Sequence, residues 1–100
     1  MIKHIVMWKL KDFAEGKSKS ENAQIIKKGL EDLKDKISQI KFIEVGINFN
    51  ESSQAYDCVL YSQFENVEAL NIYQKHPEHL KVAEFVGKVR EARVVGDYEV

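Results

Sequence analysis

Apolar and polar residues alternate with a period of two in four segments of the chain, and two longer segments have the three-to-four-residue period of a helix. A strand places successive side chains on opposite faces, whereas a helix brings residues three and four apart onto one face. The alternating segments are residues 2–10, 41–50, 56–64 and 93–100. The helical segments cover residues 18–40 and 66–89. The pattern therefore predicts the order strand, helix, strand, strand, helix, strand.

The ends of the predicted helices have recognisable capping residues. Ser18 stands three residues before Glu21, which is the spacing of a capping box, and Asn66 is a favourable N-cap for the second helical segment. Pro77 lacks an N–H and disfavours helix at the residue before it, so one helix is expected to end near Lys75 and another to begin at Pro77. The polar residues 12–19 and 51–54 predict loops, and Gly96 is expected to mark a bulge in the last strand.

This order of elements is the split βαβ pattern, which predicts an α+β, ferredoxin-like fold with a four-stranded, mostly antiparallel sheet and the helices on one face. The first, third and fourth strands have apolar residues on both faces, whereas a sheet with one solvated face alternates between apolar and polar. A contiguous bare apolar face is unusual in a monomer. The pattern therefore predicts a homodimer in which two sheets pack face to face.

The composition is that of one globular domain, residues 1–100, with 44% hydrophobic and 31% charged residues. Fifteen Lys and Arg are distributed among sixteen Asp and Glu, for a net charge of −1, so neither nucleic acid nor an anionic membrane surface is an expected partner. No apolar run approaches the roughly twenty residues of a membrane span, and we expect a cytoplasmic protein. Cys58 is the only cysteine and is predicted to be a buried thiol.

The segment Tyr73–His79 carries the candidate chemistry, because it holds one phenol and two of the three histidines around Pro77. Imidazole titrates near neutral pH, so a histidine in a cleft can accept or donate a proton. The alternative interpretation is structural, with His76 as a helix cap and His79 as a packed side chain. His76 and His79 with His4 or Glu78 form only a weak metal pattern, so no metal is predicted.

Five segments of the chain also resemble the stress-responsive α/β-barrel domain (Dabb) family, within the dimeric α+β barrel group. They are His4–Lys11, Ile43–Gly46, Tyr56–Leu60 with Ser62–Phe64, Tyr73–His79, and Asp97–Tyr98. One departure is Ser38–Lys41, where many relatives have a Pro-Gly pair before the second strand. The resemblance implies a ferredoxin-like subunit that pairs into a barrel, with a cleft between the sheet and the helices of each subunit.

Most members of this family have no assigned reaction, and the resemblance implies a stress-responsive dimer that binds a small apolar or aromatic ligand. One plant branch, resembling olivetolic acid cyclase, closes a polyketide with a Tyr and a His at positions that match Tyr73 and His79 here. By that more distant similarity the chain is alternatively a cyclase, lyase or isomerase that uses these two residues as acid and base and needs no cofactor. A further alternative is a cofactor-free monooxygenase of the same barrel group.

The remaining candidate ligand contacts are histidine and aromatic side chains. His4 and His76 occupy the other family histidine positions, and aromatic residues at the periods of the strands and the last helix can line an apolar pocket. Ordinary core packing is the alternative role for the aromatic residues. The predicted ligand contacts are His4, Trp8, Phe49, Tyr61, His76 and Phe85.

Overall fold

Four long strands form one antiparallel sheet in the computed structural model of the protein, which describes residues 1–100. The elements follow in the order β1 (Ile2–Leu10), β2 (Phe13–Ala14), β3 (Lys17–Ser18), α1 (Lys19–Glu31), a 3-10 turn (Asp32–Asp35), β4 (Ile40–Ile47), β5 (Cys58–Phe64), α2 (Val67–Lys75), α3 (Pro77–Val89) and β6 (Arg90–Glu99). The order across the sheet is β4-β5-β1-β6, and β2 and β3 form a separate hairpin. The predicted ferredoxin-like α+β fold is confirmed.

The core lies between the helices and one face of the sheet, which we call the inner face. Alternate residues of β1 and β5 are buried there, beneath the apolar stripe of α1 and beneath residues of α2 and α3. The inner-face residues of these two strands are Ile2, His4, Val6, Trp8, Leu10, Cys58, Leu60, Ser62 and Phe64. Since side chains alternate along a strand, the other residues of β1 and β5 project from the opposite, outer face.

The register of β6 against β1 decides which residues of the last strand join the inner face. His4 lies opposite Asp97, Val6 opposite Val95, and Trp8 opposite Arg93. Residues directly opposite each other in an antiparallel pair project to the same face. An arginine and an aspartate of the edge strand are therefore brought next to buried side chains of β1.

The helix caps in the structure are those that the sequence predicts. Ser18 and Glu21 form both hydrogen bonds of the capping box at α1, and the Asn66 side chain accepts from the Ala69 N–H at the start of α2. The break between α2 and α3 is at His76, whose backbone is extended, and Pro77 is the first residue of α3. The predictions that one helix ends at Lys75 and that the next begins at Pro77 are confirmed.

Several predicted boundaries were wrong. The apolar stripe predicted a helix to Ile40, but α1 ends at Glu31, and Ile37 and Ile40 are buried from a turn and from β4. The spacing of apolar residues indicates which side chains are buried, and side chains beyond the end of the helix are buried as well. Residues 13–18 form the β2–β3 hairpin within the predicted loop, and β6 begins at Arg90, directly after α3.

Two further predictions about strands were also wrong. Gly96 pairs regularly with Ile5, and the irregularity in the β1–β6 ladder lies between Lys9 and Leu10. The second strand was expected to continue past residue 47, but β4 ends at Ile47 because Asn48 begins a polar turn. The Asn48 side-chain oxygen accepts the Asn50 N–H at 2.9 Å, which is the local hydrogen bond of an asparagine turn, and the Asn48 amide donates to the Tyr56 carbonyl at 2.6 Å.

Candidate functional site

A cleft of about 170 Å³ lies between the inner face of the sheet and helix α3. An engineered cavity of about 150 Å³ in another protein holds benzene, so the space suits a ligand built around one ring or a short chain. Its apolar lining is Val6, Trp8, Leu30, Leu60, Ala83, Val86 and Gly87. Its polar lining is His4, Tyr73, His79, Arg90 and Arg93.

Tyr73 lies in the last turn of α2 and is fully buried. Its ring centre is 4.9 Å from that of Phe64 and 4.5 Å from that of His79, so packing holds the phenol on both sides. The hydroxyl has no hydrogen-bond partner in the structure although it is buried. Burial raises the pKa of Tyr73 above its ordinary value of 10, with the charge of Arg93 acting in the opposite direction. The side chain therefore remains a protonated donor at the cleft.

His79 lies in the first turn of α3, across the break from Tyr73. Its Nδ1 is 3.1 Å from the Gln74 carbonyl oxygen, which can only accept, so we assign the proton of the neutral ring to Nδ1. Burial lowers the pKa of His79 below its ordinary value of 6.5, and the charge of Arg93 lowers it further, while the bond to Gln74 raises it. A neutral ring with this tautomer leaves Nε2 as a proton acceptor.

His4 is buried in the centre of the sheet, with its ring centre 6.2 Å from that of Tyr73. Its Nδ1 is 2.5 Å from Oδ1 of Asp97, the residue opposite it on β6. A carboxylate accepts, so this short hydrogen bond places a proton on Nδ1 and holds the orientation of the imidazole. The three rings of His4, Tyr73 and His79 thus form a row along the polar wall of the cleft.

The structure brings together four of the eight site residues that were predicted from the sequence, namely His4, Trp8, Tyr73 and His79. His76 lies outside the cleft lining and caps α3, because its Nδ1 accepts the Glu78 N–H at 3.1 Å. Its position agrees with the structural alternative for this residue.

The other three predicted contacts also lie away from the cleft lining. Phe49 is 95% exposed after the end of β4, and Phe85 is half-buried against the core. Tyr61 projects from the outer face of β5, where its hydroxyl accepts from the Gln63 amide at 2.7 Å. The period of the apolar residues predicts whether these aromatic residues lie on a strand or on a helix. It does not decide on which side of the sheet they lie.

Three polar residues of the site were not predicted as site residues, namely Arg90, Arg93 and Asp97. All three come from β6, and they reach the cleft or its histidine because this strand pairs with β1. The alternation of residues 93–97 does place Arg93, Val95 and Asp97 on one face. That signal was available in the sequence, but the partner strand and the register were not.

The structure also describes Cys58 and the possible metal ligands. Burial raises the pKa of the Cys58 thiol to about 11, so the predicted buried thiol is confirmed and remains protonated at neutral pH. No three His, Cys, Asp or Glu side chains are grouped closely enough to hold a metal ion. None of the three helices combines the length and apolar character that crossing a bilayer requires.

Comparisons with known proteins find a match to the family model described as the Stress responsive A/B Barrel Domain, over residues 2–100. No curated protein matches the chain. A similar solved structure is a dimeric protein of unknown function with a ferredoxin-like fold from Bacteroides fragilis. It is 36% identical, the match covers 99% of this chain and 95% of that one, and the TM-score is 0.88.

Two further structures show the range of similar proteins. A protein from Arabidopsis thaliana is 27% identical, with a TM-score of 0.81 and coverage of 100% of this chain and 95% of that chain. The hydroxynitrile lyase from Passiflora edulis is 20% identical, with a TM-score of 0.79 and coverage of 99% and 92%. At 20% identity the similarity shows that the lyase and this chain share a fold, and it does not assign the activity of the lyase to this chain.

Proposed function

Since the chain belongs to the stress-responsive A/B barrel domain family, we propose that it binds a small apolar or aromatic carbonyl compound in the cleft. The buried, unpartnered hydroxyl of Tyr73 carries this proposal. A buried donor without a partner costs roughly 1–3 kcal/mol, and a ligand oxygen that accepts from it removes that cost. The apolar lining and the volume of about 170 Å³ suit the rest of such a ligand.

The binding proposal is tested with acetophenone, a neutral ketone with one ring, by titration followed by the NMR signals of the His79 ring, which is present in the wild type and in the variants. Tyr73→Phe removes only the donor and is expected to weaken binding about tenfold, the equivalent of one hydrogen bond. Tyr61→Phe is the matched control, because it removes a phenol oxygen from the outer face. Equal affinity of the Tyr73→Phe variant and the wild type would show that the hydroxyl does not hold the ligand.

The functional unit in this proposal is a homodimer formed through the outer face of the sheet. Large apolar side chains are exposed there, among them Met7 at 37%, Val94 at 46% and Tyr98 at 50%. The Bacteroides fragilis protein, which is 36% identical, is described as dimeric. Burying a contiguous apolar face contributes roughly 25 cal/mol per Å², which makes a second copy of the chain a suitable cover.

A second candidate function is acid–base catalysis on the bound carbonyl compound, and the pairing of Tyr73 with His79 favours it. Nε2 of the neutral His79 ring can remove a proton from the carbon next to the carbonyl, while the phenol donates to the oxygen that becomes an enolate. Positioned acid–base groups contribute roughly 10² to 10⁴ in rate. The proton moves between protein and substrate, so this step requires no oxidant or reductant.

Proton removal is measured without knowing the natural reaction, as the incorporation of deuterium from D₂O into the methyl group of acetophenone. His79→Gln removes the base and is expected to reduce the exchange rate by roughly 10² or more. His76→Asn is the matched control, because asparagine can keep the helix cap while removing an imidazole that lies directly before α3 and outside the cleft lining. If the wild-type protein does not raise the rate of deuterium incorporation above the uncatalysed rate, the cleft is a binding site without turnover.

A further inference from the structure

The only two arginines of the chain both line the cleft. The sequence has fifteen Lys and Arg residues, of which Arg90 and Arg93 alone are arginines, and none of the lysines lines the cleft. Arg90 follows the end of α3, and Arg93 lies opposite Trp8 in the β1–β6 pair. Two guanidinium groups therefore stand at the edge of an otherwise largely apolar space.

Neither guanidinium group is neutralised within the subunit. Seven ion pairs are present, and all of them involve lysine or His4. Asp97 projects from the same face of β6 as Arg93, but its carboxylate is bound to His4. The charges of the arginines are thus available to a group that enters the cleft.

The charge of Arg93 affects the pKa values of both Tyr73 and His79. It contributes to the lowered pKa of His79 and acts against the raised pKa of Tyr73. Tyr73, His79 and Arg93 all line the same cleft of about 170 Å³, so one small ligand can contact all three side chains. Arg90 and Arg93 are exposed, so the anionic end of such a ligand would be at the mouth and its apolar end inside.

We propose that the ligand of this cleft is a small organic oxyanion, in which a carboxylate or phosphate at the mouth pairs with Arg93 and Arg90, and a largely apolar ring or chain in the interior carries the oxygen that accepts from Tyr73. The planar guanidinium offers parallel N–H donors that match two oxygens of a carboxylate or phosphate, which a lysine ammonium does not. The proposal rests on the proposed binding function of the cleft and narrows it to one class of ligand. The net charge of −1 provides no general attraction for anions, so the selectivity is local.

The experiment compares the affinities of three ring compounds, benzoate, phenyl phosphate and the neutral benzamide, by NMR titration of the wild type and of variants. Arg93→Gln is expected to weaken benzoate or phenyl phosphate binding about ten- to a hundredfold and to leave benzamide binding unchanged, because hydrogen bonds to charged groups are the stronger ones. Lys88→Gln is the matched control, since it removes one positive charge from the last turn of α3 outside the cleft lining. The identity of the tighter anion distinguishes a carboxylate ligand from a phosphate ligand.

A second measurement does not depend on any variant. Added salt is expected to weaken the binding of the anion to the wild type and to leave benzamide binding unaffected, because salt screens exposed charges. The inference is overturned if both anions bind no more tightly than benzamide, or if Arg93→Gln and Lys88→Gln change anion binding equally. In either case, acetophenone binding that still depends on Tyr73 would leave the proposed function standing.

Discussion

Tyr73 is unusual among the buried residues because its hydroxyl costs stability in the free protein. The side chain is fully buried, and the hydroxyl has no partner. A buried polar atom without a hydrogen-bond partner is typical of a site where a ligand supplies the partner, since natural cores satisfy most of their polar atoms. The ring itself is held by Phe64 and His79, so the position of the hydroxyl does not depend on a hydrogen bond.

Tyr73→Phe is therefore expected to leave the free energy of unfolding unchanged or to increase it by about 1 kcal/mol, because it deletes an unsatisfied polar atom and keeps the ring. Urea denaturation measures the difference. Tyr61→Phe serves as the control, because it removes a hydroxyl that accepts from Gln63. A loss of more than about 1 kcal/mol for Tyr73→Phe would mean that the hydroxyl has a partner in solution.

His79 predicts a pH dependence of stability. Its pKa is lowered in the folded protein, from an ordinary value of 6.5, chiefly by burial. Below 6.5 the unfolded chain therefore binds more protons at this residue than the folded chain does, and stability decreases as the pH falls toward the lowered folded value. Above 6.5 the contribution is fully present.

The free energy of unfolding is expected to fall between about pH 7 and pH 5, and to fall less steeply in a His79→Gln variant. Urea titrations across this range test the slope, and an NMR titration of the His79 ring gives the folded pKa directly. Glu21 and Glu31 also have shifted pKa values, but theirs are lowered from 4.5, so they act at more acidic pH. Parallel slopes for the variant and the wild type would contradict the assignment.

At the scale of elements, the break between α2 and α3 brings the phenol and the imidazole together. Tyr73 is in the last turn before the break and His79 is in the first turn after it. A continuous helix would place residues six apart on different sides, whereas the extended backbone at His76 re-aims α3. The Gln74 carbonyl, freed near the end of α2, accepts from the His79 ring.

The cap at this break is His76, whose Nδ1 accepts the Glu78 N–H. His76→Ala is expected to lower the free energy of unfolding by roughly 0.5–2 kcal/mol, the range for the loss of an N-cap. His76→Asn is expected to recover most of it, because its side-chain oxygen can accept the same N–H. Thermal and urea unfolding of both variants measure the effect, and equal losses for alanine and asparagine would argue against capping.

At the scale of the whole molecule, the two faces of the sheet have different roles. The inner face holds the core and the cleft, whereas the outer face presents exposed apolar side chains such as Met7 and Val94, which lie opposite each other. Nothing in the subunit covers that face. In the proposed dimer the cleft stays within each subunit, so assembly and binding can be tested separately.

The mass in solution is expected to be twice the 11.6 kDa of one chain, by sedimentation equilibrium at micromolar concentration. Met7→Lys places a charge in the centre of the outer face and is expected to shift the mass toward that of a monomer. Ile72→Lys is the control, because Ile72 is 48% exposed on α2, away from the sheet. A wild-type mass equal to that of one chain would end the dimer proposal.

Local patterns in the sequence were sufficient for the four long strands, the three helices and the helix caps, although they missed the β2–β3 hairpin. The Ser18 and Asn66 caps, the break at Pro77 and the inner-face alternation of β1 all rest on interactions within a few residues. The same local patterns failed at Ile37 and Phe49. Apolar spacing continued past the end of α1, and alternation continued past β4, where Asn48 turns the chain.

The sequence by itself determined the order of the elements, the ferredoxin-like class and the pairing of a phenol with an imidazole around a proline break, because these depend on short-range sterics and periodicity. Only the tertiary structure decided that Arg93 lines the cleft, that Asp97 binds the imidazole of His4, and that Tyr61 and Phe49 lie elsewhere. The reason is the register of β6 against β1, since a slip of one residue would turn every side chain of that strand to the other face. Such a long-range pairing is set by the packing of the whole sheet, and no window of neighbouring residues contains it.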